Sequence, residues 1–229
     1  MGRTELGLWL MLALLIVGTA LSLSSLVSTG WRLRAEAFSR SAPLDALASP
    51  FLVALEVAAI ALVVSDSKRM GGTHRRLALA SIAFFLAWAA LNFAVYLPLS
   101  FIGMSRGSLE LVRLGLAVKA AAALLQYAVP FLLAYGLTRR NGVKVALWLA
   151  LAATAVGGLG ITATPIADVE LKAVVVSGTE FYVPKYEVDY TSGPYPAFLA
   201  LSHVGGVLYV LAYAVVATTL RKARDDPRA

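Results

Sequence analysis

Long apolar runs separated by short polar clusters dominate this chain. Six of them lie at residues 6–27, 50–65, 77–99, 112–137, 143–164 and 196–220. A hydrocarbon layer about 30 Å thick is crossed by about 20 apolar residues at about 1.5 Å per residue. The pattern therefore predicts an all-α membrane protein, a six-transmembrane-helix bundle forming one polytopic domain over residues 1–229. The first run exceeds the usual signal-peptide core and no A-x-A site follows it, so it reads as a true span.

The polar clusters predict the connections. Trp31, Ala35 and Phe38 share one helical face, which predicts a short outer interfacial helix over residues 31–38. The second span then starts around Ser41–Pro43 and kinks at Pro50. Gly71 and Gly72 end it, and Thr73 is placed to cap the third. The third ends near Pro98 and the fourth starts near Ser108. Asn141-Gly142 reads as a turn. The fifth closes in the glycines of residues 157–160 and at Pro165. Before the sixth, residues 169–176 and 180–188 flank Ser177-Gly178 with partial alternation, which predicts a β-hairpin-like outer loop. Pro184 confines its strand to an edge or a bulge. Tyr182, Tyr186, Tyr190 and Tyr195 make that loop aromatic, as an interfacial belt, a docking surface or a lid.

Composition sharpens this reading. Only 14% of the 229 residues are charged, against 59% hydrophobic; a soluble domain has about 25% charged residues. The net charge of +7 is unevenly spread. With six spans, the termini and the loops around residues 66–76 and 139–144 share a side carrying twelve basic and four acidic residues. The opposite side carries seven basic and eight acidic ones. Basic residues collect in cytoplasmic loops, so the expectation is a multi-pass cell-membrane protein with both termini cytoplasmic. The basic face then reads as a partner for the anionic lipid bilayer, not for nucleic acid. Cysteine is absent, which excludes disulfides, thiolate metal sites, Fe–S clusters and cysteine nucleophiles.

The candidate chemistry lies in polar residues that lipid should reject. Glu56, ten residues before Asp66, falls well inside the second span, where a charge costs about 2.5–3.5 kcal/mol. It must face the bundle interior, either locking helix packing or facing an ion, a proton or a quinol. Lys119 either snorkels at the outer boundary or pairs with Glu56. His203, beside Ser202, Gly205 and Gly206, and Asn92 fall at a similar depth. Gln126 lies nearer mid-membrane, four residues before Pro130, which frees a backbone carbonyl. Glu56, Asn92, Lys119, His203 and Gln126 thus form a candidate intramembrane polar cluster, if helix rotation makes them converge. His74 and His203 fall on opposite sides, which disfavours a bis-histidine haem or a histidine metal site.

No nucleotide-binding, nucleophile-elbow or metal motif is present. No catalytic, cofactor-binding or metal residue is assigned. The sequence favours a non-catalytic subunit of a larger membrane complex, with other membrane subunits as partners, of a respiratory or electron-transfer kind. Two alternatives stand beside it. One is a small ion- or proton-coupled carrier using Glu56, against which the lack of an inverted repeat counts. The other is a quinone-reactive subunit using Glu56 and His203 near the outer face, quinone being the only cofactor the polar cluster suggests.

Overall fold

The structure is a computed structural model describing residues 2–28, 30, 32–34, 38–176 and 179–225. It is mostly helical: α1 (Arg3–Ser28), α2 (Phe38–Met70), α3 (Gly72–Ala90), a π-helical segment (Leu91–Tyr96), α4 (Leu97–Arg106), α5 (Leu109–Tyr135), α6 (Asn141–Asp168) and α7 (Tyr195–Asp225). Four short strands complete it: β1 (Arg32–Arg34), β2 (Glu170–Val176), β3 (Thr179–Lys185) and β4 (Glu187–Asp189).

Five helical stretches are long and apolar enough to cross a membrane: Arg3–Ser24, Gly72–Arg106, Leu109–Tyr135, Asn141–Asp168 and Tyr195–Ala223. In each apolar window only 11–33% of the residues are buried, so most apolar side chains face outward. Ile16, Phe84, Leu86, Phe101, Trp148 and Leu211 are all exposed. The second helix is long, but its described part carries Glu56, Asp66, Lys68 and Arg69 and is not one of the five.

The helices close into a ring. α1 packs on α2 and α7, α2 on α3, α3 on α5, α5 on α6, and α6 on α7. The tightest approaches need glycine. A Cβ at Gly7 would meet the Ala59 carbonyl of α2, and one at Gly205 of α7 would meet the backbone of Thr154 in α6. Small residues let helix backbones come together in this way. The main core fills the end of the ring where Arg3, Asp66, Arg139 and Arg221 lie, the basic end. There Leu8, Met11, Val63, Leu133, Leu147 and Tyr213 are almost wholly buried. Asp66 accepts a hydrogen bond from the Thr4 hydroxyl at 3.1 Å, tying α1 to α2.

Several connections differ from the sequence expectation. Arg32–Arg34 is a strand, not part of an interfacial helix; Trp31 and residues 35–37 lie outside the described residues. The strand pairs antiparallel with β4, setting Arg32 opposite Asp189 and Arg34 opposite Glu187. Antiparallel backbone pairing outweighs a weak amphipathic signal. The second helix begins at Phe38 and runs through Pro43 and Pro50. Gly71, at φ 113°, forms the start of α3 with no side-chain cap, so Thr73 lies inside the helix.

The third span does not end near Pro98. Proline has no N–H, and upstream of it the register widens into the π segment, where the Leu97 N–H bonds the Asn92 carbonyl. The helix continues to Arg106 and stops at Gly107, at φ 63°. α5 starts near Ser108 as expected, and the Ser108 hydroxyl caps it by accepting from the Leu111 N–H at 3.4 Å. Asn141 and Gly142 begin α6 rather than forming a turn. Gly157, Gly158 and Gly160 lie inside α6. Cβ atoms there would strike Ser202, Tyr127 and Phe198 respectively, so these glycines seat neighbouring side chains and backbone instead of ending the helix.

The hairpin is present. β2 pairs with β3, with Glu170 opposite Lys185 and Val176 opposite Thr179; Ser177 and Gly178 lie outside the described residues. Pro184 sits in a sheet with only two strands, where every strand is an edge. Tyr182 packs on Gly107. Tyr190 is buried with Ile161, Tyr186, Tyr195 and Leu199. Burial pushes the Tyr186 phenol above its ordinary range, Tyr96 adding to the effect, and raises that of Tyr190 likewise.

Candidate functional site

A cavity of about 780 Å³ lies within the ring, between the main core and the hairpin end. Each helix turns one stripe toward it. α2 gives Leu52, Val53 and Glu56, four residues being about one turn. Trp88, Asn92 and Tyr96 line it from α3 and the π segment, Gln126, Tyr127 and Pro130 from α5, and Ser202, Gly206 and Tyr209 from α7. α1 contributes Met11, Leu15, Gly18 and Thr19. Leu21, Phe93 and Leu97 line it and are exposed, so the lining is continuous with the apolar outer surface. Toward the basic end Met11 and Tyr209, 1% and 2% exposed, form a closed floor above the core.

Four of the five residues singled out in the sequence reach this cavity: Glu56, Asn92, Gln126 and His203. Glu56 is 4% exposed, and its Oε2 accepts a hydrogen bond from Gln126 Nε2 at 3.2 Å. The carboxyl therefore has a specific partner across 70 residues of sequence. Asn92 sits in the π segment, a local register change that recurs at functional sites. Its Nδ2 donates to the Trp88 carbonyl at 2.9 Å.

His203 Nδ1 lies 2.8 Å from the Leu199 carbonyl. A carbonyl only accepts, so Nδ1 carries the proton and Nε2 of the neutral ring is an acceptor. That Nε2 is buried and has no partner. Lys119 does not join the group. It is exposed, does not line the cavity, and holds its Nζ over the Tyr96 ring at 5.2 Å. The Lys119–Glu56 pair is not formed; the amide of Gln126, two turns or about 10 Å farther along nearly the same face of α5, takes that place, while Lys119 lies at the level of Tyr96.

The backbone of α5 beside Pro130 is tied to α7. The α7 tyrosines bond the α5 backbone around it: the Tyr209 hydroxyl donates to the Tyr127 carbonyl at 2.9 Å, and the Tyr213 hydroxyl to the Pro130 carbonyl at 2.6 Å. These bonds fix α5 against α7 beside Glu56. The aromatic wall (Trp88, Phe93, Tyr96, Tyr127 and Tyr209) was not read as a unit from the sequence. The spacing of Trp88, Asn92 and Tyr96 at steps of four was its available signal.

The arrangement suits binding. Drug-sized ligands occupy clefts of about 300–1,000 Å³ with mostly apolar walls and a few convergent polar groups. The aromatic rings offer faces for a flat ligand, and Glu56, Gln126, Asn92 and His203 offer hydrogen bonds. No protein family, curated protein or solved structure matches this chain.

Proposed function

We propose that this chain is a six-span protein of the cell membrane, both termini cytoplasmic, that binds a lipid-soluble ring compound of the quinone class between its helices. The reading counts α2 as the sixth span, its Glu56 turned inward. The charge asymmetry supports the orientation, and it puts the cavity in the half of the bundle facing away from the cytoplasm. The convergence of Glu56, Gln126, Asn92 and His203 on one aromatic-walled cavity carries the functional reading. The exposed apolar lining at Leu21, Phe93 and Leu97 gives a hydrophobic ligand a route from the bilayer. The chain offers no thiolate or paired histidines for a redox centre, so electrons exchanged with such a ligand would come from another membrane subunit. This keeps the protein within a larger complex. The closed floor of Met11 and Tyr209 favours binding over passage through the bundle.

Calorimetric titration of the detergent-purified protein with duroquinone and with anaerobic duroquinol tests the proposal. Saturable binding of at least one form is expected. Glu56→Leu, which removes the carboxyl and leaves Gln126 without its acceptor, should weaken it tenfold or more. Absence of saturable binding by the unaltered protein overturns the reading. The orientation has its own test: a reporter fused after residue 229 should be active only in the cytoplasm.

A further inference from the structure

Among the described residues, Glu56 is the only acid lining the cavity, and no lysine or arginine lines it. The carboxyl is half committed. Oε2 takes the Gln126 amide, while Oε1 receives no hydrogen bond from a described residue and, unlike the unpartnered Nε2 of His203, is not sealed from contact. A carboxylate held away from water is costly until an opposite charge stands beside it. Lys119 does not supply that charge: its Nζ rests on the Tyr96 ring, 5.2 Å from the centroid, and it stays outside the lining. Around the acid the walls are aromatic. Trp88 and Phe93 stand edge to face, with centroids 6.4 Å apart and planes at 77°, and Tyr127 and Tyr209 add two further rings. Ring faces attract cations through their quadrupole, more strongly where water is excluded.

We infer that the cavity is a site for a hydrophobic organic monocation, with the Glu56 carboxylate as its counter-charge and the rings of Trp88, Phe93 and Tyr127 as its walls. Such binding does not depend on the quinone-class reading, although both ligands would occupy one space. The charge count sets the class: one carboxylate balances one positive charge, taken in exchange for any proton the carboxyl holds. Hydration sets the rest. A metal ion would surrender a full shell of oxygen ligands for a single carboxylate, and no group of three or more metal-ligating side chains is present among the described residues. A cation whose charge is spread over apolar groups gives up little hydration. It suits a volume of about 780 Å³ and can enter past the exposed Leu21, Phe93 and Leu97.

Tetraphenylphosphonium and tetraphenylborate have nearly the same size and shape and opposite charge. Calorimetric titration with each, on the protein purified in a non-ionic detergent, reads the sign of the site. Saturable binding of the phosphonium is expected, roughly tenfold or more tighter than that of the borate. Glu56→Gln keeps the shape of the side chain and removes its charge. It should bring the two constants within about twofold by weakening the phosphonium selectively. Should that variant not purify as a monodisperse species, Glu56→Met replaces it, with the same expected loss of preference. No saturable binding of the phosphonium, or equal or tighter binding of the borate, overturns this inference whatever duroquinone does. A preference for the phosphonium that substitution of Glu56 leaves unchanged overturns it too. Saturable, Glu56-dependent binding of the phosphonium with no binding of duroquinone or duroquinol supports the cation site and overturns the quinone-class reading.

Discussion

Toward the basic end, Leu8, Val63, Leu133, Leu147 and Tyr213 are fully buried against one another. Two to four turns farther along the same helices, Leu21, Val53, Gln126, Thr154 and His203 surround open space. The helices are continuous through both regions, so backbone rigidity alone cannot explain the difference. What changes is the inward stripe. Near the basic end it is aliphatic and interlocking. Farther on, Gly18, Thr19, Ser202 and Gly206 thin the walls of α1 and α7, the π segment re-aims α3, and Pro130 interrupts α5. In lipid, apolar burial gives helices little reason to associate, and packing, hydrogen bonds and small-residue contacts hold a bundle together. One half of this bundle interlocks, and the other encloses a cavity.

The sharpest way to break the comparison is to delete volume in each region. Leu133→Ala, in the packed half, should lower unfolding free energy by about 2–5 kcal/mol. Leu21→Ala, at the cavity, should stay within about 0.5 kcal/mol. Thermal unfolding in detergent measures both, and comparable losses would erase the distinction. Next in size is the hydroxyl that locks α7 to α5. Tyr213→Phe removes a buried hydrogen bond to the Pro130 carbonyl and should cost about 0.5–1.5 kcal/mol. Tyr209→Phe, whose bond is only part-buried at the cavity floor, should cost less.

A smaller effect is expected at the hairpin end. Burial holds the Tyr186 and Tyr190 phenols above their ordinary range, while in the unfolded chain they ionise near about pH 10. Above that pH the unfolded form loses protons that the folded form keeps. Their contribution is thus intact below about pH 10 and is lost as pH rises through the folded values. Phenolate absorbance during alkaline titration, compared between the unaltered protein and Tyr190→Phe, should show late-ionising tyrosine lost in the variant.

Much of this architecture was legible beforehand because helix formation in an apolar run is a local event. The five apolar helices, the start of α5 near Ser108 and the hairpin around Ser177-Gly178 all follow from propensity and turns within a few residues. Glu56 was legible for a different reason: an acid inside an apolar helix has few tolerable places, and the interior is one. Breakers were misread where their surroundings supplied compensation. Pro98 looked like an end, but a π segment absorbed its missing N–H. The glycines at 157, 158 and 160 looked like a terminus, but Ser202, Tyr127 and Phe198 occupy the space they leave. The β1–β4 ribbon had no local signal, since three-residue strands more than 150 residues apart recognise each other only once the helices bring them together.

The amino-acid order alone determined which segments are helical, which carry charge and which polar side chains have no place in hydrocarbon. Tertiary structure decided which of those side chains meet. Lys119 and Gln126 are two turns apart, so they fall on nearly the same face of α5 and differ in depth by about 10 Å; which of them meets Glu56 depends on how the helices are set along one another, and no local pattern states that. Only the packing of the helices set Gln126 against Glu56, left Lys119 exposed over Tyr96, and opened a cavity where Asn92 and His203 complete the group.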